Sequence, residues 1–439
     1  MRILQITAGA GGMYCGSCLR DNTLAAELLG RGHDVTLLPV YTPTLTDEPN
    51  VSARRVFFGG ISVYLEQHVP LLRRTPALLD ALWDHPSLIQ AAAGRGVSVD
   101  PRALGELTVS TLRGEAGYQA KEIRKLLRHL ERQPPFDLLV IPTSLLISLA
   151  PPLKRALGRP LVCTLQGEDL FLEALGEPFR SEAKDLIRRH AGHVDAFVAT
   201  SGAYADFMSR YLALRRATIH VVPIGITVDG HDAAPRARNG PLAIGYLARV
   251  APEKGLHVLA EAYRMLRLER GLPPARLEAA GYLAPEHKAY LAGVEGRLNE
   301  AGLAGEFRYH GAVDRAGKLA FLRRLDVFSV PSPYAEPKGL YVLEALASGV
   351  PCVEPRHGAF PEILGRAGGG LLFTPGDPGD LAARILELAQ DPELAARLGQ
   401  AGAAGVRRHF SSGRMAERTL EVYAAVLESG RPAATLVEA

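Results

Sequence analysis

Glu336 and Glu344 stand with seven residues between them, and Pro337, Lys338, Gly339 and Leu340 follow the first acid directly. From Leu340 the pattern predicts a helix: Leu340, Leu343, Leu346 and Ala347 recur at three- and four-residue intervals, and Gly349 is a stop signal. At a rise of about 1.5 Å per residue, Glu344 lies roughly 6 Å further along the axis than Leu340. Between the acids fall the N–H groups of the helix start, which carry partial positive charge. A phosphate suits such an end, and Gly339 lets it approach the backbone closely. An acid on either side then accepts hydrogen bonds from hydroxyls attached to that anion. Polyol, anion and diol, in that order, describe a sugar, a diphosphate and a ribose. Taken alone, the same acids read as a solvated turn residue and a helix-surface charge.

A second constellation lies some eighty residues earlier, in Ala248-Arg249-Val250-Ala251-Pro252-Glu253-Lys254-Gly255. Charge builds on a leaving diphosphate as a glycosidic bond breaks, and fixed cations there stabilise that state selectively. Arg249 supplies a planar fork and Lys254 a point charge. Without the acidic pair both would pass for solvated loop charges.

These loops need strands and helices to hold them. Val327–Val330 reads as a short buried strand before the acidic turn, and Val350–Val353 as the return. Strand, turn, helix and strand make one βαβ unit, whose ligand-binding loop lies at the strand's carboxyl end. Residues 243–247, 276–280, 307–310 and 368–373 read as further strands. Helices are expected near 256, 286–300, 315–325, 378–390, 392–408 and 412–428. In the first half, strands are expected at 2–8, 35–40, 137–142, 160–165, 195–201 and 220–224, with a helix around 19–31. Such alternation implies doubly wound parallel sheets. Arg54–Tyr64 reads as a strand, a Gly-Gly turn and a helix start, with helical stretches near Thr75–Trp83, Leu88–Ala93 and 117–132 after it. The polar, proline-bearing stretch 231–241 suits a linker.

The run E-P-K-G-L-Y-V-L-E-A-L-A-S-G-V-P, from Glu336 to Pro351, resembles the signature of retaining GT-B glycosyltransferases, in particular the large family four. Residues 43–135 resemble, more weakly, the extended amino-terminal domain of its glycogen-synthase-like branch. The resemblance implies an α/β fold of GT-B architecture, two Rossmann-like doubly wound parallel-sheet domains facing across a cleft. Their expected limits are 1–232 and 233–411, with a helix at 412–430 crossing back to the first. It further implies transfer of a sugar from a nucleotide-diphosphate-sugar donor to a hydroxyl of a sugar, glycan, lipid or small molecule. Arg249 and Lys254 would hold the diphosphate, Glu336 the sugar and Glu344 the ribose. Amides of 337–340 would meet the sugar and diphosphate, with the base near Val313. Gly11 and Gly12 would let donor or acceptor approach the backbone of the first glycine-rich turn. Gln166 stands where family members usually carry a His beside the donor sugar; Gln keeps a donor and an acceptor but cannot titrate. Glu168 and Asp169 are acceptor-side candidates, or else surface-turn charges. No cofactor and no metal are expected, since two cations and the helix amides already meet the phosphate charge. No Asp or Glu stands out as a covalent nucleophile, so a front-face displacement is expected.

Composition sets the outer bounds. At 439 residues, two domains of about two hundred each are the natural expectation. Apolar content of 47% and charged content of 22% are those of a soluble globular protein. A formal charge of +3 gives no cue to nucleic acid. Met1–Ile6 looks like a buried strand rather than a leader, and no apolar run reaches the ~18 residues of a membrane span. Four cysteines in this length suggest a reducing cytoplasm rather than a disulfide scaffold. Cys15 and Cys18 form a C-G-S-C pair at a helix start, where the dipole would lower a thiol pKa. They read as small residues of a tight turn, a redox-sensitive pair, or part of a metal site needing Cys163 and Cys352. Lys121, Arg124, Lys125 and Arg128 flank apolar positions of one helix. Such a face is more commonly solvated, but can dock on an anionic membrane surface. Two rival functions follow: a nucleotide-sugar epimerase or phosphorylase-like enzyme on the same architecture, and a redox-responsive nucleotide-binding protein using Cys15 and Cys18.

Overall fold

The computed structural model describes residues 1–9, 15–53, 56–57, 101–233 and 240–429. Gly11, Gly12, most of Arg54–Tyr64 and the helices expected near 75–83 and 88–93 lie outside them. The chain forms two compact units, one of Met1–Pro223 with the residues from Met415 on, the other of Ile224–Arg414. The division falls at 223/224 rather than 232/233 because the intervening backbone is tied to the second unit. Ile226 N–H donates to the Phe410 carbonyl at 2.9 Å, and Ser412 N–H to the Ile226 carbonyl at 2.8 Å. Arg315 donates to the Asp229 carbonyl at 2.7 Å.

The first unit alternates β1 (Arg2–Thr7), α1 (Gly16–Gly30), β2 (Asp34–Pro39), α2 (Pro101–Leu112), α3 (Ala120–Leu130) and β3 (Leu138–Ile141). It continues through α4 (Ala150–Leu157), β4 (Leu161–Leu165), α5 (Asp169–Ala174), α6 (Phe179–Ala191), β5 (Ala196–Ala199), α7 (Gly202–Tyr211) and β6 (Ile219–Val221). Its strands are all parallel, in the order β2-β1-β3-β4-β5-β6. Continuous apolar runs such as Leu138–Ile141 and Leu161–Leu165 are buried throughout, as a sheet covered on both faces requires. α2 was not foreseen, because Gly105 interrupts its apolar pattern; it forms because it packs against α6. In α3, Lys121 is buried and Lys125 pairs with the buried Glu122 at 3.1 Å. Only Arg124 and Arg128 of its expected basic face are exposed, half the charge that membrane docking would have used.

The second unit runs β7 (Ala243–Leu247), α8 (Leu256–Leu268), β8 (Arg276–Ala280), α9 (Lys288–Glu300), β9 (Phe307–Tyr309) and α10 (Arg315–Leu322). Then come β10 (Val327–Phe328), α11 (Leu340–Ala347), β11 (Cys352–Pro355), α12 (Phe360–Ala367), β12 (Gly370–Phe373), α13 (Pro378–Gln390) and α14 (Pro392–His409). Its parallel strands lie in the order β12-β11-β10-β7-β8-β9. Numbered within the unit, that is 6-5-4-1-2-3, the dinucleotide-binding order, whose direction reverses between β7 and β10. The crevice beyond the carboxyl ends of those two strands is where such sheets bind ligands. α15 (Ser412–Ser429) begins in this unit and from Met415 packs with the first. No helix of the described residues is long and apolar enough to cross a membrane.

Candidate active site

The loop after β7 carries Arg249 and Lys254, and the loop after β10 carries Glu336, so both expected groups of residues issue from the reversal point of the second sheet. Two features join the loops. Ser332 Oγ donates to the Glu253 carbonyl at 2.7 Å. Gly255 takes φ +75°, and a Cβ there would stand 2.1 Å from the Pro331 carbonyl oxygen, so only glycine lets the loops close.

Their meeting places Lys254 Nζ in an ion pair with Glu336 Oε2. Tyr341 O–H donates to the same oxygen at 3.2 Å, and its ring centroid lies 5.5 Å from the Lys254 ammonium. Glu336 is only 4% exposed. Burial pushes its pKa up, yet Lys254, then Lys338 and Tyr341, outweigh that, so the carboxyl is held below its ordinary value. The acid is therefore ionised at neutral pH, and its second oxygen is the one the ion pair leaves aside. Gly339, at φ +64°, turns the chain into α11, so Pro337–Leu340 run directly from Glu336 into the helix start. A Cβ on Gly339 would meet Ile363 Cδ1 at 2.5 Å. Ala359 N–H holds the Glu336 carbonyl at 2.8 Å from behind.

Glu344, in the second turn of α11, is also buried, and Lys318 Nζ lies 2.6 Å from its Oε1. Lys318 comes from α10, whose first turn is capped by Asp314 accepting from Gly317 N–H at 2.8 Å. Val313 precedes that cap directly and is half-buried, on the same helix entry that supplies Lys318. Arg249 differs from Lys254: its guanidinium pairs with Glu253 of its own loop, and its side chain is 39% exposed. The structure thus brings together Lys254, Glu336 and the start of α11, and separately Glu344 and Lys318. Lys318 and Tyr341 were not singled out from sequence. A lysine twenty-six residues from its partner gives no local cue, and Tyr341 reads as one more half-apolar helix position.

In the first unit Gln166 lies at the carboxyl end of β4, 5% exposed. Its Nε2 donates to the Pro142 carbonyl at 2.9 Å and to Asp21 Oδ1 at 3.3 Å. Glu168 and Asp169 are not surface-turn charges, for both are buried. Glu168 accepts from Ser144 N–H at 3.0 Å, Ser144 Oγ at 2.8 Å and Gln166 N–H at 2.7 Å. Asp169 accepts from Tyr204 O–H at 2.8 Å. These bonds build the loop itself. For Cys18 the expected lowering of the thiol pKa is reversed. The Cys18 thiol is pushed far up by donating a hydrogen bond to Cys15 and by burial, which outweighs a helix dipole. Cys163 and Cys352 sit in β4 and β11, in different units. Among the described residues, no group of three or more His, Cys, Asp or Glu could hold a metal ion.

Known proteins carry the same two-part organisation. Residues 22–225 match the family described as glycosyl transferase 4-like domain, and residues 229–404 the one described as glycosyl transferases group 1. The chain belongs to the group 1 glycosyltransferases, and its architecture is GT-B. Glycogen synthase of Mycobacterium tuberculosis is 30% identical over 54% of this chain and 56% of its own length. Phosphatidyl-myo-inositol mannosyltransferase of Mycobacterium leprae is 32% identical over 48% of this chain and 54% of its own. The chain thus spans about half the length of the curated relatives it matches. Among solved structures, sucrose-phosphate synthase of Thermosynechococcus elongatus superposes with a TM-score of 0.69 at 17% identity, over 98% of this chain and 100% of that one. HepE of Anabaena, in complex with UDP-glucose, gives 0.65 at 18%, over 97% and 100%. At such identities the likeness is one of fold.

Proposed function

We propose that the protein is a retaining glycosyltransferase, moving a sugar from a nucleotide-diphosphate-sugar to a hydroxyl acceptor. The observation that carries this reading is the buried Lys254–Glu336 pair at the start of α11, on the reversal point of a dinucleotide-type sheet. A cation, helix amides and an ionised acid are what a sugar diphosphate requires, since charge grows on the leaving diphosphate and sugar hydroxyls need acceptors. Lys254 and Arg249 take the diphosphate, Glu336 accepts from the sugar and Glu344, steadied by Lys318, from the ribose. The leaving diphosphate itself accepts the proton of the incoming hydroxyl on the face it departs from, which preserves the anomeric configuration. No metal is required in this scheme. The UDP-glucose bound to HepE supports a nucleotide-sugar donor, and the mannosyltransferase among the relatives supports sugar transfer.

The test is thermal shift with UDP, GDP and ADP, followed by hydrolysis and transfer assays with UDP-glucose, GDP-mannose and ADP-glucose. At least one diphosphate should raise the melting temperature, since a ligand at 100 Kd stabilises by about 2.7 kcal/mol. The anomeric proton of the product, read by NMR, should keep the donor's configuration. No stabilisation by any diphosphate, or a Glu336→Ala variant with undiminished turnover, would sink the reading.

A further inference from the structure

In the first unit, the buried polar cluster at the carboxyl ends of β1 and β4 has Asp21 as its hub. The Asp21 carboxylate accepts from Arg20 Nη1 at 3.1 Å and Gln166 Nε2 at 3.3 Å on Oδ1, and from Thr7 Oγ1 at 3.1 Å on Oδ2. Its backbone carbonyl accepts from Gln5 Nε2 at 3.0 Å. All five side chains are at least nine-tenths buried. Burial raises the Asp21 pKa to about 6, with Arg20, Thr7 and Gln166 holding it down, so at pH 7.5 the group is an anion and can only accept. The Pro142 carbonyl, the other neighbour of Gln166 Nε2, also can only accept.

An amide has one donating and one accepting end. Two acceptors on one side fix which end faces them, so the Gln166 oxygen must face the other way. Oε1 is buried there without a hydrogen-bond partner, although an unmet buried carbonyl costs about 1–3 kcal/mol. We propose that Asp21 is a positioning residue that turns the Gln166 carboxamide so that its oxygen alone is offered to substrate, making this edge of the first sheet a subsite for a hydroxyl. A hydroxyl donates to such an oxygen; a carboxylate, with no proton to give, is rejected. At that point the substrate therefore presents a hydroxyl rather than a carboxylate. That the hydroxyl belongs to a sugar rests on the glycosyltransferase reading; the fixed amide does not.

The test is a double-mutant cycle of Asp21→Ala and Gln166→Ala, with Asp21→Asn as the conservative variant, whose amide oxygen can still accept from Gln166. Hydrolysis of UDP-glucose, GDP-mannose and ADP-glucose is followed at pH 7.5 beside the affinity for UDP, GDP and ADP. Gln166→Ala should lower turnover at least tenfold with diphosphate affinity unchanged. Asp21→Ala should do the same alone but add less than twofold in the Gln166→Ala background, and Asp21→Asn should recover most of the loss. Multiplicative losses, or no loss in Gln166→Ala while Glu336→Ala is inactive, overturn this proposal and leave the enzyme reading standing. If the wild type turns over none of the three donors and binds no diphosphate, the enzyme reading fails instead. The amide still reports in that case: with ¹⁵N-labelled glutamine, the Gln166 side-chain NH₂ should exchange with solvent at least tenfold faster in Asp21→Ala than in wild type and Asp21→Asn. Equal rates overturn the positioning role.

Discussion

Lys254→Met removes the cation from a carboxylate that is 4% exposed, and its cost can be bounded without knowing the local dielectric. Breaking a buried pair from one side typically costs about 3–5 kcal/mol, because a charge is left uncompensated. Neutralisation offers Glu336 an escape. A carboxyl with an ordinary pKa of 4.5 that must be neutral in the fold at pH 7 costs about 3 kcal/mol. Tyr341 and Lys338 remain in place, so the loss at pH 7 should be about 2–3 kcal/mol. The pH dependence carries the sign. In the wild type the Glu336 pKa is depressed, so the pair stabilises above the ordinary value and that stability is lost as pH falls through the folded pKa. In Lys254→Met burial, the largest influence, is opposed only by Lys338 and Tyr341 and the pKa rises, so the variant is most stable in acid and loses stability as pH climbs past the ordinary 4.5. Urea unfolding at pH 4, 5.5 and 7 should therefore give a difference that widens with pH. Lys254→Met/Glu336→Gln should recover most of the stability at pH 7, because neither partner is then a lone charge. It should not recover turnover, which in either single variant is expected to fall on the order of 100–1,000-fold. A pH-independent difference would show that Glu336 is not charged in the fold. A double variant that regains activity would remove the pair from the chemistry.

Arg249→Ala should change stability by less than about 1 kcal/mol, since its pair with Glu253 is more than a third exposed and screened. Its affinity for UDP, GDP or ADP, by isothermal titration, should nevertheless fall at least tenfold; a wild-type affinity would take Arg249 out of the diphosphate site. Gly339→Ala forces a left-handed φ on an L-residue at about 1–2 kcal/mol and pushes on the flexible end of Ile363. The melting temperature should drop and diphosphate affinity weaken with it, whereas an unchanged melting temperature would mean the turn relaxes. Lys318→Met should destabilise by about 2–4 kcal/mol, with recovery in Lys318→Met/Glu344→Gln. It should also narrow the preference for UDP over 2′-deoxy-UDP; a preference left intact would make the pair purely structural.

Most strands and helices were legible because each obeys one local rule. Apolar runs such as Leu161–Leu165 mark buried strands, and Gly339 directly before Leu340 and Gly349 two residues after Ala347 bracket α11. The site's polypeptide was legible for the same reason, since Glu336, Gly339 and the helix start are contiguous. What could not be read is how charge is shared over distance. Lys254 belongs to Glu336 and Lys318 to Glu344 only once β7, β10 and α10 are placed, and Arg249, the expected partner of Lys254, turns to Glu253 instead. For Glu168 and Asp169 only the surface-turn alternative fails, because acidic pairs after strands are usually solvated and these are buried. Here Ser144, Gln166 and Tyr204 draw them in.

Burial alone does not mark an acid for function, as a third carboxyl in the second sheet illustrates. Glu354, on β11, is wholly inaccessible; burial, aided by the nearby Glu336 charge, pushes its pKa well up, and one oxygen accepts only from Val330 N–H at 3.2 Å. Among the described residues no cation pairs with it, and burial favours its neutral form between β10 and β11. Glu336, as deeply placed, is kept anionic because Lys254 is supplied from a different strand. Holding an anion in a buried place costs solvation that folding does not repay locally. A fold that places a cation from one loop and an acid from another at the same helix start is stabilising a charge pair that water would have served as well. The arrangement becomes intelligible when a polyol diphosphate is the occupant, because both halves of the pair then have separate work: the ammonium meets the growing charge on phosphate, and the carboxylate receives the hydroxyls beside it.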